Sequence, residues 1–373
     1  MSSFKSIGIH KDLVKGLDKL NIKEPTLIQE KAIPILLNGP VDFIGQAATG
    51  TGKTAAYGLP LLQSIDSQSK QIQGLILCPT RELGQQIADQ LFKFTRYTDK
   101  IFTECVYGGA QIGPQIKALK RPTHILVATP GRLIELVQKN AVDLTWVKTV
   151  ILDEADEMLS LGFRDDLDTI LSMIARVENK WLFSATLPEA VHQIINKHLS
   201  SGAEQVRVNK KSGINKKVEH QFVVCDEREK PFVLQSFLKS KRKQQGLIFC
   251  KTKATAKQVL AQLEKAQFAV AGIHGDLLQK DREKALRLFK KGNTDVLVAT
   301  DIAARGIHVD NLKYVVHYEL PAQDDYYVHR SGRTGRGGQE GVSLALCTSK
   351  ELRQLRFLEK KMGISLRQIR RVK

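Results

Sequence analysis

Short apolar segments alternate with helical stretches along this chain, and the alternation occurs twice. In the first half, apolar runs at 75–78, 125–128 and 150–152 alternate with helical patterns at 82–94 and 165–174. Apolar runs this short are typical of strands buried in a parallel sheet, and helices between them are typical of βαβ units. The spacing therefore predicts an α/β domain built around a parallel sheet.

The same pattern begins again in the second half. Its predicted strands are the apolar runs at 247–250, 295–299, 314–317 and 342–346, and a predicted helix covers 254–266. At 373 residues, the chain also exceeds the length at which a single hydrophobic core usually keeps growing. The two halves therefore predict two tandem parallel-sheet domains.

Residues 209–217 separate the two halves. This segment is polar, basic and rich in residues that break regular structure, which is typical of a linker between domains. We therefore expect a first domain at 1–208, a flexible linker at 209–217 and a second domain at 218–373. A ligand cleft between two such domains is the default expectation.

The balance of charge favours a polyanionic partner. The chain has 57 lysines and arginines against 39 aspartates and glutamates, for a net charge of +18. A nucleic acid is the expected partner, although a basic surface without a function is the alternative.

The cysteines and the apolar segments indicate where the protein resides. Five cysteines are scattered without a C-x-x-C pair, which argues against a disulfide scaffold and a zinc ribbon and favours a reducing setting. The N-terminus lacks the apolar region of a signal peptide, and no apolar run approaches the roughly 20 residues of a membrane helix. We therefore expect a soluble, cytoplasmic monomer without a membrane partner.

Residues 47–54 read Ala-Ala-Thr-Gly-Thr-Gly-Lys-Thr and follow a predicted strand at 41–45. Glycines in such a phosphate loop let backbone N–H groups converge on phosphate oxygens, while Lys53 reaches the β and γ phosphates and the Thr54 hydroxyl ligates magnesium. The strict pattern has glycine where this chain has Ala47. A chance match is improbable, so the loop predicts a nucleoside triphosphatase. The residues expected at the nucleotide are Ala48, Thr49, Gly50, Thr51, Gly52, Lys53 and Thr54.

Two acids follow the apolar run at 149–152. A buried parallel strand would deliver Asp153 and Glu154 to the edge of the sheet where α/β proteins bind ligands. Phosphoryl transfer depends on positioning and electrostatic stabilisation. We therefore predict that Asp153 binds magnesium and that Glu154 orients the attacking water. The alternative is that these acids cap the next helix.

Three arginines lie among glycine turns at 329–336. Guanidinium groups suit the charge that develops on a transferred phosphoryl group, and an arginine supplied across an interface can raise turnover roughly a thousandfold or more. Arg330, Arg333 and Arg336 are therefore candidates for the reacting phosphate. The alternative is a loop that binds nucleic-acid phosphate, and for Arg330 this alternative stays open.

In this order, these motifs resemble those of the DEAD-box RNA helicases of superfamily 2, and the resemblance covers nearly the whole chain. It implies two tandem RecA-like parallel-sheet domains that use ATP and Mg²⁺ and act on RNA. It also implies that Phe4, Ile22 and Gln29 contact the adenine, with Gln29 bonded to the base edge. By the same resemblance, Arg333 and Arg336 reach the ATP phosphates.

The resemblance implies two further groups of residues. The first group contacts the RNA backbone, and such contacts supply affinity without reading bases. Its members are Pro79, Thr80, Arg81, Gly108, Gly109, Thr129, Pro130, Gly131, Arg132, Gly275, Arg282 and Thr300. The second group couples ATP hydrolysis to strand separation, and its members are Asp156, Ser184, Thr186, Asp301, His308 and His329. Without the resemblance, Ser184 and Thr186 could form an ordinary helix cap. Thr300 could likewise cap a strand end, and Arg282 could be an exposed helical charge.

The chain departs from the family's pattern at three places. Asn21 and Ile22 stand where the family usually has glycine and an aromatic, so we expect the adenine to pack on an aliphatic side chain and ATP to bind somewhat more weakly. His308 replaces an aspartate expected at the ribose and the coupling network. Ser331 is a milder change within the arginine motif.

The expected function is an RNA-dependent ATPase that locally unwinds short RNA duplexes or remodels RNA–protein complexes as two domains close. The alternatives are an ATP-gated RNA clamp or annealer and a DNA helicase of the same superfamily. Protein partners, or the short basic C-terminal end, would direct the protein to its RNA.

The C-terminal segment carries apolar residues at helical spacing, at 352, 355, 358 and 362, with basic residues between them. This spacing predicts contacts with the core of the second domain. The basic residues form either a solvated face or a phosphate-binding tail.

Overall fold

The computed structural model describes most of the chain and divides it into two compact units, Met1–Asn209 and Lys210–Lys373. The described residues are 2–48, 50–174, 177–208, 217–277, 279–304, 312–322, 324–335 and 339–369. The predicted linker lies outside these ranges apart from its last residue. None of the helices within them combines the length and the apolar character needed to cross a membrane.

The first unit is a parallel sheet with helices on both faces. Its described strands are β1 (Phe43–Ala47), β2 (Gly74–Leu77), β3 (Thr103–Val106), β4 (Ile125–Ala128), β5 (Thr149–Asp153), β6 (Asn179–Ser184) and β7 (Glu204–Val208). Its described helices are α1 (Lys11–Lys19), α2 (Leu27–Leu37), α3 (Lys53–Ser64), α4 (Arg81–Phe94), α5 (Ile112–Leu119), α6 (Pro130–Gln138), α7 (Ala155–Ser160), α8 (Arg164–Met173) and α9 (Glu189–His198). Helices α1 to α4 bury their apolar sides in one core, and helices α6 to α9 bury theirs in a second core.

The second unit repeats this architecture. Its described strands are β8 (Val218–Val224), β9 (Gly246–Cys250), β10 (Val270–Ile273), β11 (Val296–Thr300), β12 (Tyr314–His317), β13 (Gly341–Cys347) and β14 (Leu366–Gln368). Its described helices are α10 (Lys230–Ser240), α11 (Lys253–Lys265), α12 (Gln279–Lys290), α13 (Asp301–Ala304), α14 (Asp324–Ser331) and α15 (Leu352–Met362). Leu355 and Leu358 of α15 are buried in an apolar cluster with Phe222 and Tyr327, as their spacing predicts.

Both sheets pair their described strands in parallel and in the same order. The orders are β3-β4-β2-β5-β6-β1-β7 and β10-β11-β9-β12-β13-β8-β14, which coincide when the second unit is counted from β8. Strands β2 and β4 are buried along their whole length, which is why their sequences are continuous apolar runs. The predicted fold of two parallel-sheet α/β domains is confirmed, with element ends shifted by one or two residues.

The strand order decides which loops are neighbours, because the carboxyl ends of parallel strands lie at one edge of the sheet. In the first unit, β5, β6 and β1 are adjacent, and the loops that follow them carry the acids, Ser184 with Thr186, and the phosphate loop. Strands β3, β4 and β2 form the other half of the sheet, and the loops after them carry the predicted RNA residues. Nucleotide and RNA motifs therefore occupy adjacent halves of one edge.

Gly45 in β1 allows the ring of Phe183 in β6 to lie directly on the backbone. A methyl group at residue 45 would come within 2.6 Å of Cε1 of that ring. We expect Gly45→Ala to lower the free energy of unfolding by about 1–3 kcal/mol, the usual cost of overpacking a core. Denaturant unfolding followed by circular dichroism measures this change.

The control is Gly202→Ala, because a methyl group at Gly202 would meet no described atom within 4 Å. Equal stability of the two variants would contradict the close contact between β1 and Phe183.

Candidate nucleotide and nucleic-acid site

The phosphate loop connects the end of β1 to the start of α3. Gly50 and Gly52 have φ angles of 79° and 91°, in the left-handed region that glycine adopts without strain. The turn ends at Gly52, so the free N–H groups at the start of α3 lie at the carboxyl edge of the sheet and can bind phosphate. Lys53 is buried and its ammonium donates a 2.9 Å hydrogen bond to the Ala47 carbonyl. Thr49 lies outside the described residues.

Gln29 connects the start of α2 to this loop. Its Nε2 donates a 3.0 Å hydrogen bond to the Gly52 carbonyl, and its Oε1 accepts a 2.8 Å bond from the Thr26 N–H. The Thr26 hydroxyl donates to the Thr51 carbonyl at 2.8 Å, and the Thr51 hydroxyl donates to the Ala48 carbonyl at 2.7 Å. An amide side chain can make about four hydrogen bonds, so Gln29 holds the loop and keeps capacity for a base edge. Its contact with adenine stays a prediction.

Asp153 is the last residue of β5 and is 2% exposed. Its Oδ2 accepts a 2.9 Å hydrogen bond from the Tyr57 hydroxyl, and its Oδ1 accepts a 3.0 Å bond from the Glu154 N–H. Burial raises the pKa of Asp153, whereas the nearby Lys53 ammonium and these two hydrogen bonds favour the ionised form. The protein therefore orients both oxygens of this carboxylate.

Glu154 precedes α7 with a φ angle of 51°, a left-handed conformation that costs a residue other than glycine on the order of 1–3 kcal/mol. Its side chain does not cap α7, and Asp153 accepts the N–H of Glu154 itself, before the helix begins. The alternative that these two acids cap the next helix is therefore wrong. Strained residues of this kind are frequent at functional sites.

The oxygen donors near Asp153 fit magnesium. Mg²⁺ prefers hard oxygen ligands and usually takes one or two protein groups beside substrate phosphates and waters. Asp153 supplies a buried carboxylate, and Thr54 supplies a hydroxyl in the first turn of α3. A divalent cation would favour the ionised carboxylate that burial disfavours.

Asp156 is hydrogen-bonded to the segment after β6. Its Oδ2 accepts hydrogen bonds from the Thr186 N–H at 2.9 Å and the Thr186 hydroxyl at 2.7 Å. The Asp156 N–H donates to Ser184 Oγ at 3.2 Å, and the Ser184 hydroxyl donates to the Thr186 carbonyl at 2.6 Å. The alternative of an ordinary Ser or Thr helix cap is wrong, because α9 begins at Glu189 with Pro188 in the cap position. The bonds instead tie the loop after β5 to the loop after β6.

In the first unit, the predicted RNA residues after β4 support the turn after β3. Buried Arg132 donates a 2.8 Å hydrogen bond from Nη2 to the Ala110 carbonyl. The Thr129 hydroxyl accepts a 3.2 Å bond from the Gly108 N–H. Arg132 and Thr129 therefore hold the exposed turn at Gly108 and Gly109, where φ of Gly109 is 75°.

The predicted RNA residues after β2 lie at the start of α4. The Arg81 guanidinium carbon is 4.1 Å from the centroid of the Tyr107 ring. The Thr80 hydroxyl accepts the Leu83 N–H at 3.3 Å and so caps the helix, while Pro79 is buried. At the start of α6, Pro130 is buried and Gly131 is exposed.

In the second unit, the predicted RNA residues lie at the ends of β10 and β11 and on α12. Gly275 is exposed after β10, and Thr300 is the buried last residue of β11. Arg282 donates a 2.8 Å hydrogen bond from Nη2 to the Ala303 carbonyl of α13. The interpretation of Arg282 as a simple exposed helical charge is therefore wrong.

Arg330 is 1% exposed and is paired inside the second unit. Its Nε and Nη2 donate hydrogen bonds to the two carboxylate oxygens of Asp301 at 2.6 and 2.7 Å, and its Nη1 donates to the Glu319 carbonyl at 2.8 Å. Its guanidinium carbon lies 5.1 Å from the centroid of the Phe249 ring. The interpretation of Arg330 as a contact for a reacting or nucleic-acid phosphate is therefore wrong, because its guanidinium is buried and bonded to Asp301 and Glu319.

A buried polar cluster lies against Arg330. His317 Nε2 is 3.2 Å from Ser331 Oγ and 3.0 Å from Ser343 Oγ, and the His317 ring stacks on Tyr327 with 4.4 Å between centroids. Burial lowers the pKa of His317 well below its ordinary value, and the Arg330 charge acts in the same direction. Ser331, a departure from the family's pattern, thus supplies a hydroxyl to a neutral buried network.

The predicted adenine segment is packed into the first unit. Phe4 is buried in the core formed with α1 to α4, and Ile22 packs against the same core. Asn21 has a φ angle of 57°, in the left-handed region that asparagine tolerates better than most residues. This conformation explains why glycine also suits the position.

The remaining predicted residues belong to the second unit. Arg333 is half-buried, and the His329 ring meets the Tyr326 ring edge-on with 6.0 Å between centroids. His308 and Arg336 lie outside the described residues.

Sequence reasoning did not identify Tyr57 as part of the site, and it named Thr26 only as a member of the predicted adenine segment at 25–29. Tyr57 lies four residues after Lys53 on α3, a spacing that places both side chains on one face of a helix. Thr26 lies three residues before Gln29, the spacing of a helix-capping pair. The spacing of Tyr57 from Lys53 is the signal by which the sequence could have identified this residue.

A phosphate loop after β1 with paired acids at the end of β5 defines a phosphate-loop nucleoside triphosphatase, here followed by a second unit of the same topology. The chain matches the family model of DEAD/DEAH box helicases over residues 26–194 and that of the helicase conserved C-terminal domain over residues 229–338. ATP-dependent RNA helicase CshA of Listeria monocytogenes is 41% identical over 359 residues, which cover 96% of this chain and 68% of that protein. CshA of Bacillus subtilis is 38% identical over 357 residues, which cover 96% of this chain and 72% of that protein.

Solved structures agree with these relatives. Dbp5 of S. cerevisiae bound to RNA and ADP BeF3 has a TM-score of 0.90 at 29% identity, covering 99% of this chain and 96% of that chain. DEAD-box helicase Mss116 bound to ssRNA and UDP-BeF has a TM-score of 0.89 at 28% identity, covering 99% of this chain and 81% of that chain. The chain belongs to the DEAD-box family of ATP-dependent RNA helicases, and the resemblance found in its motifs is confirmed.

The buried position of Arg330 leads to a stability prediction. Arg330→Ala leaves the Asp301 carboxylate without its bidentate partner, so we expect the free energy of unfolding to fall by about 3 kcal/mol or more. Urea unfolding of the full chain measures this change. Arg353→Ala, which removes an exposed arginine of α15, is the control and should retain wild-type stability. Equal stability of the two variants would contradict a supporting role for Arg330.

Proposed function

We propose that this helicase works as an RNA-dependent ATPase that locally opens short RNA duplexes or remodels RNA–protein complexes as its two domains close. The observation that carries the proposal is the carboxyl edge of the first sheet, where nucleotide loops and predicted RNA loops occupy adjacent halves. Because β2 pairs directly with β5, no strand separates the acids at the nucleotide from the predicted RNA loop after β2. The proposed domains are 1–208 and 218–373, joined by a flexible linker at 209–217.

In this proposal, residues of the first domain bind the ATP phosphates and orient the attacking water. Lys53 and the N-terminus of α3 hold the β and γ phosphates, and Glu154 orients the attacking water. Thr54 and Asp153 hold Mg²⁺, which supplies electrostatic stabilisation of the reacting phosphate when it is bound. The burial of Asp153 beside Lys53 supports these roles, because positioned charges act most strongly away from water.

The adenine lies against the segment before the phosphate loop. Gln29 reads the base edge with the hydrogen bonds that it does not use on Thr26 and Gly52. Ile22 provides an aliphatic surface for the ring, and Phe4 holds the segment through its packing in the core. We therefore propose ATP as the nucleotide.

Coupling runs through the hydrogen bonds of Asp156 with Ser184 and Thr186 in the first domain. On closure, Arg333 and Arg336 add positive charge at the γ phosphate. The Arg333 N–H donates to the Arg330 carbonyl at 3.1 Å, so the buried pair of Arg330 with Asp301 holds the backbone from which Arg333 extends. His308 and His329 belong to the same coupling group in this proposal.

RNA binds through its backbone. The proposed contacts are the loops after β2, β3 and β4 in the first domain and the residues Gly275, Arg282 and Thr300 in the second. Backbone contacts carry little base information, so we propose binding without sequence preference. The structures of Dbp5 and Mss116 contain RNA, which supports this partner.

We propose a cytoplasmic monomer that protein partners can direct to its RNA. None of the five cysteines, all of which lie in the described ranges, forms a disulfide bond, which supports a reducing compartment. A structure of S. cerevisiae Dbp5 bound to Gle1 supports this class of partner.

Glu154→Gln separates binding from hydrolysis. The amide cannot act as the carboxylate does on the attacking water, so we expect ATP turnover to fall about 100-fold or more. ATP-dependent RNA binding should persist, because the phosphate contacts remain. Phosphate release and RNA affinity are measured on the same preparation, with Glu157→Gln as the charge-matched control, and normal turnover of Glu154→Gln would overturn the assignment.

The choice of nucleic acid is tested by ATPase stimulation. RNA should stimulate turnover more strongly than DNA of equal length, and ATP should promote strand release from a short RNA duplex. Stronger stimulation by DNA would favour a DNA helicase of the same superfamily. Tight ATP-dependent RNA binding without strand release would favour a clamp or annealer.

A further inference from the structure

Tyr57 is fully buried between three elements of the nucleotide half, and the proposed function gives it no role. It lies on α3, four residues after Lys53 and three after Thr54, and is 0% exposed. Its hydroxyl donates a 2.9 Å hydrogen bond to Oδ2 of Asp153 at the end of β5. Its ring centroid is 5.2 Å from that of Phe183 in β6. One side chain thus joins the phosphate-loop helix to two adjacent strands.

The surroundings restrict the movement of this ring. Phe183 is buried and lies directly on Gly45, where even a methyl group would come within 2.6 Å. The Phe183 ring also packs against Phe43, with 5.5 Å between centroids. Cores of this density leave little freedom for an enclosed ring, so the Tyr57 hydroxyl has a defined position relative to Asp153.

That position lies beside Asp153, one of the two proposed magnesium ligands. Thr54 lies three residues before Tyr57 on α3, so the two side chains lie on the same face of that helix. The other Asp153 oxygen accepts the Glu154 N–H at 3.0 Å. An ionised carboxylate has about four acceptor sites, so each oxygen keeps capacity for a cation or for water bound to it.

We infer that Tyr57 is a positioning residue for the magnesium site, because its hydroxyl sets the orientation of the Asp153 carboxylate. The inference rests on the proposed role of Thr54 and Asp153 as magnesium ligands. Mg²⁺ demands near-ideal octahedral geometry at about 2.0–2.1 Å, so a carboxylate that is free to rotate binds it less well. Groups that orient a metal ligand typically contribute about 10–100-fold to metal affinity.

Tyr57→Phe tests this inference, because it removes the hydroxyl and keeps the ring that fills the core. A fluorescent ATP analogue is titrated at increasing Mg²⁺ concentrations, which gives the Mg²⁺ concentration for half-maximal binding. We expect this concentration to rise about tenfold, while binding of the analogue in EDTA is unchanged. A change in melting temperature with an unchanged Mg²⁺ requirement would overturn the inference.

Tyr314→Phe is the matched control. Tyr314 is a buried tyrosine in β12 of the second unit, so its loss of a hydroxyl resembles that of Tyr57 in size and burial. We expect Tyr314→Phe to keep the wild-type Mg²⁺ requirement. A tenfold rise in this variant as well would overturn the specific role of Tyr57.

Asp153→Asn separates this inference from the proposed ligand role. Asp153→Asn alone should raise the Mg²⁺ requirement, and adding Tyr57→Phe should then change it less than about twofold, because the hydroxyl no longer holds a carboxylate. An unchanged requirement in Asp153→Asn would overturn the ligand role and the inference together. A raised requirement in Asp153→Asn with none in Tyr57→Phe, or a full tenfold effect of Tyr57→Phe in both backgrounds, would overturn the inference alone.

Discussion

The strand order of the parallel sheets is the constraint on which the site depends. Since the carboxyl ends of parallel strands lie at one edge, the order sets the neighbours of each loop, whatever their distance along the chain. Asp156 and Thr186 are 30 residues apart and yet are hydrogen-bonded at 2.7 Å, because β5 and β6 are adjacent. The second sheet has the same order, with the predicted RNA residue Gly275 after β10, the predicted RNA residue Thr300 at the end of β11 and the three arginines at 330–336 after β12.

Two buried charged side chains at these edges, Asp153 and Arg330, are stabilised by hydrogen bonds or an ion pair. Asp153 accepts hydrogen bonds from Tyr57 and Glu154, and Arg330 forms a bidentate pair with Asp301. An uncompensated buried charge costs several kcal/mol, so these partners are required for stability. They also fix the orientation of the charged groups. Phosphoryl transfer depends chiefly on such positioning, so one set of contacts serves both stability and the proposed catalysis.

The predictions from sequence succeeded where the signal is local. Strands β2 and β4 appear in the sequence as continuous apolar runs because both faces of each strand are buried. The local pattern alone did not separate Arg330 from Arg333, which are residues of the same type three positions apart; only the resemblance assigned Arg333 to the ATP phosphates. Only the contact with Asp301, 29 residues away, distinguishes the buried arginine from the half-buried one. The phenol of Tyr57 was missed for the same reason, since its partner Asp153 lies 96 residues away.

By itself, the sequence determined two parallel-sheet domains, a phosphate loop with its paired acids, and membership of the DEAD-box family. These features follow from apolar periodicity and from short motifs, both of which are readable within a few residues. The tertiary structure alone decided that Tyr57 contacts Asp153 and that Arg330 contacts Asp301, and it supplied the hydrogen bonds that join Asp156 to Thr186. Hydrogen bonds and ion pairs depend on distances between residues far apart in the chain, and the periodicity of a sequence does not specify those distances.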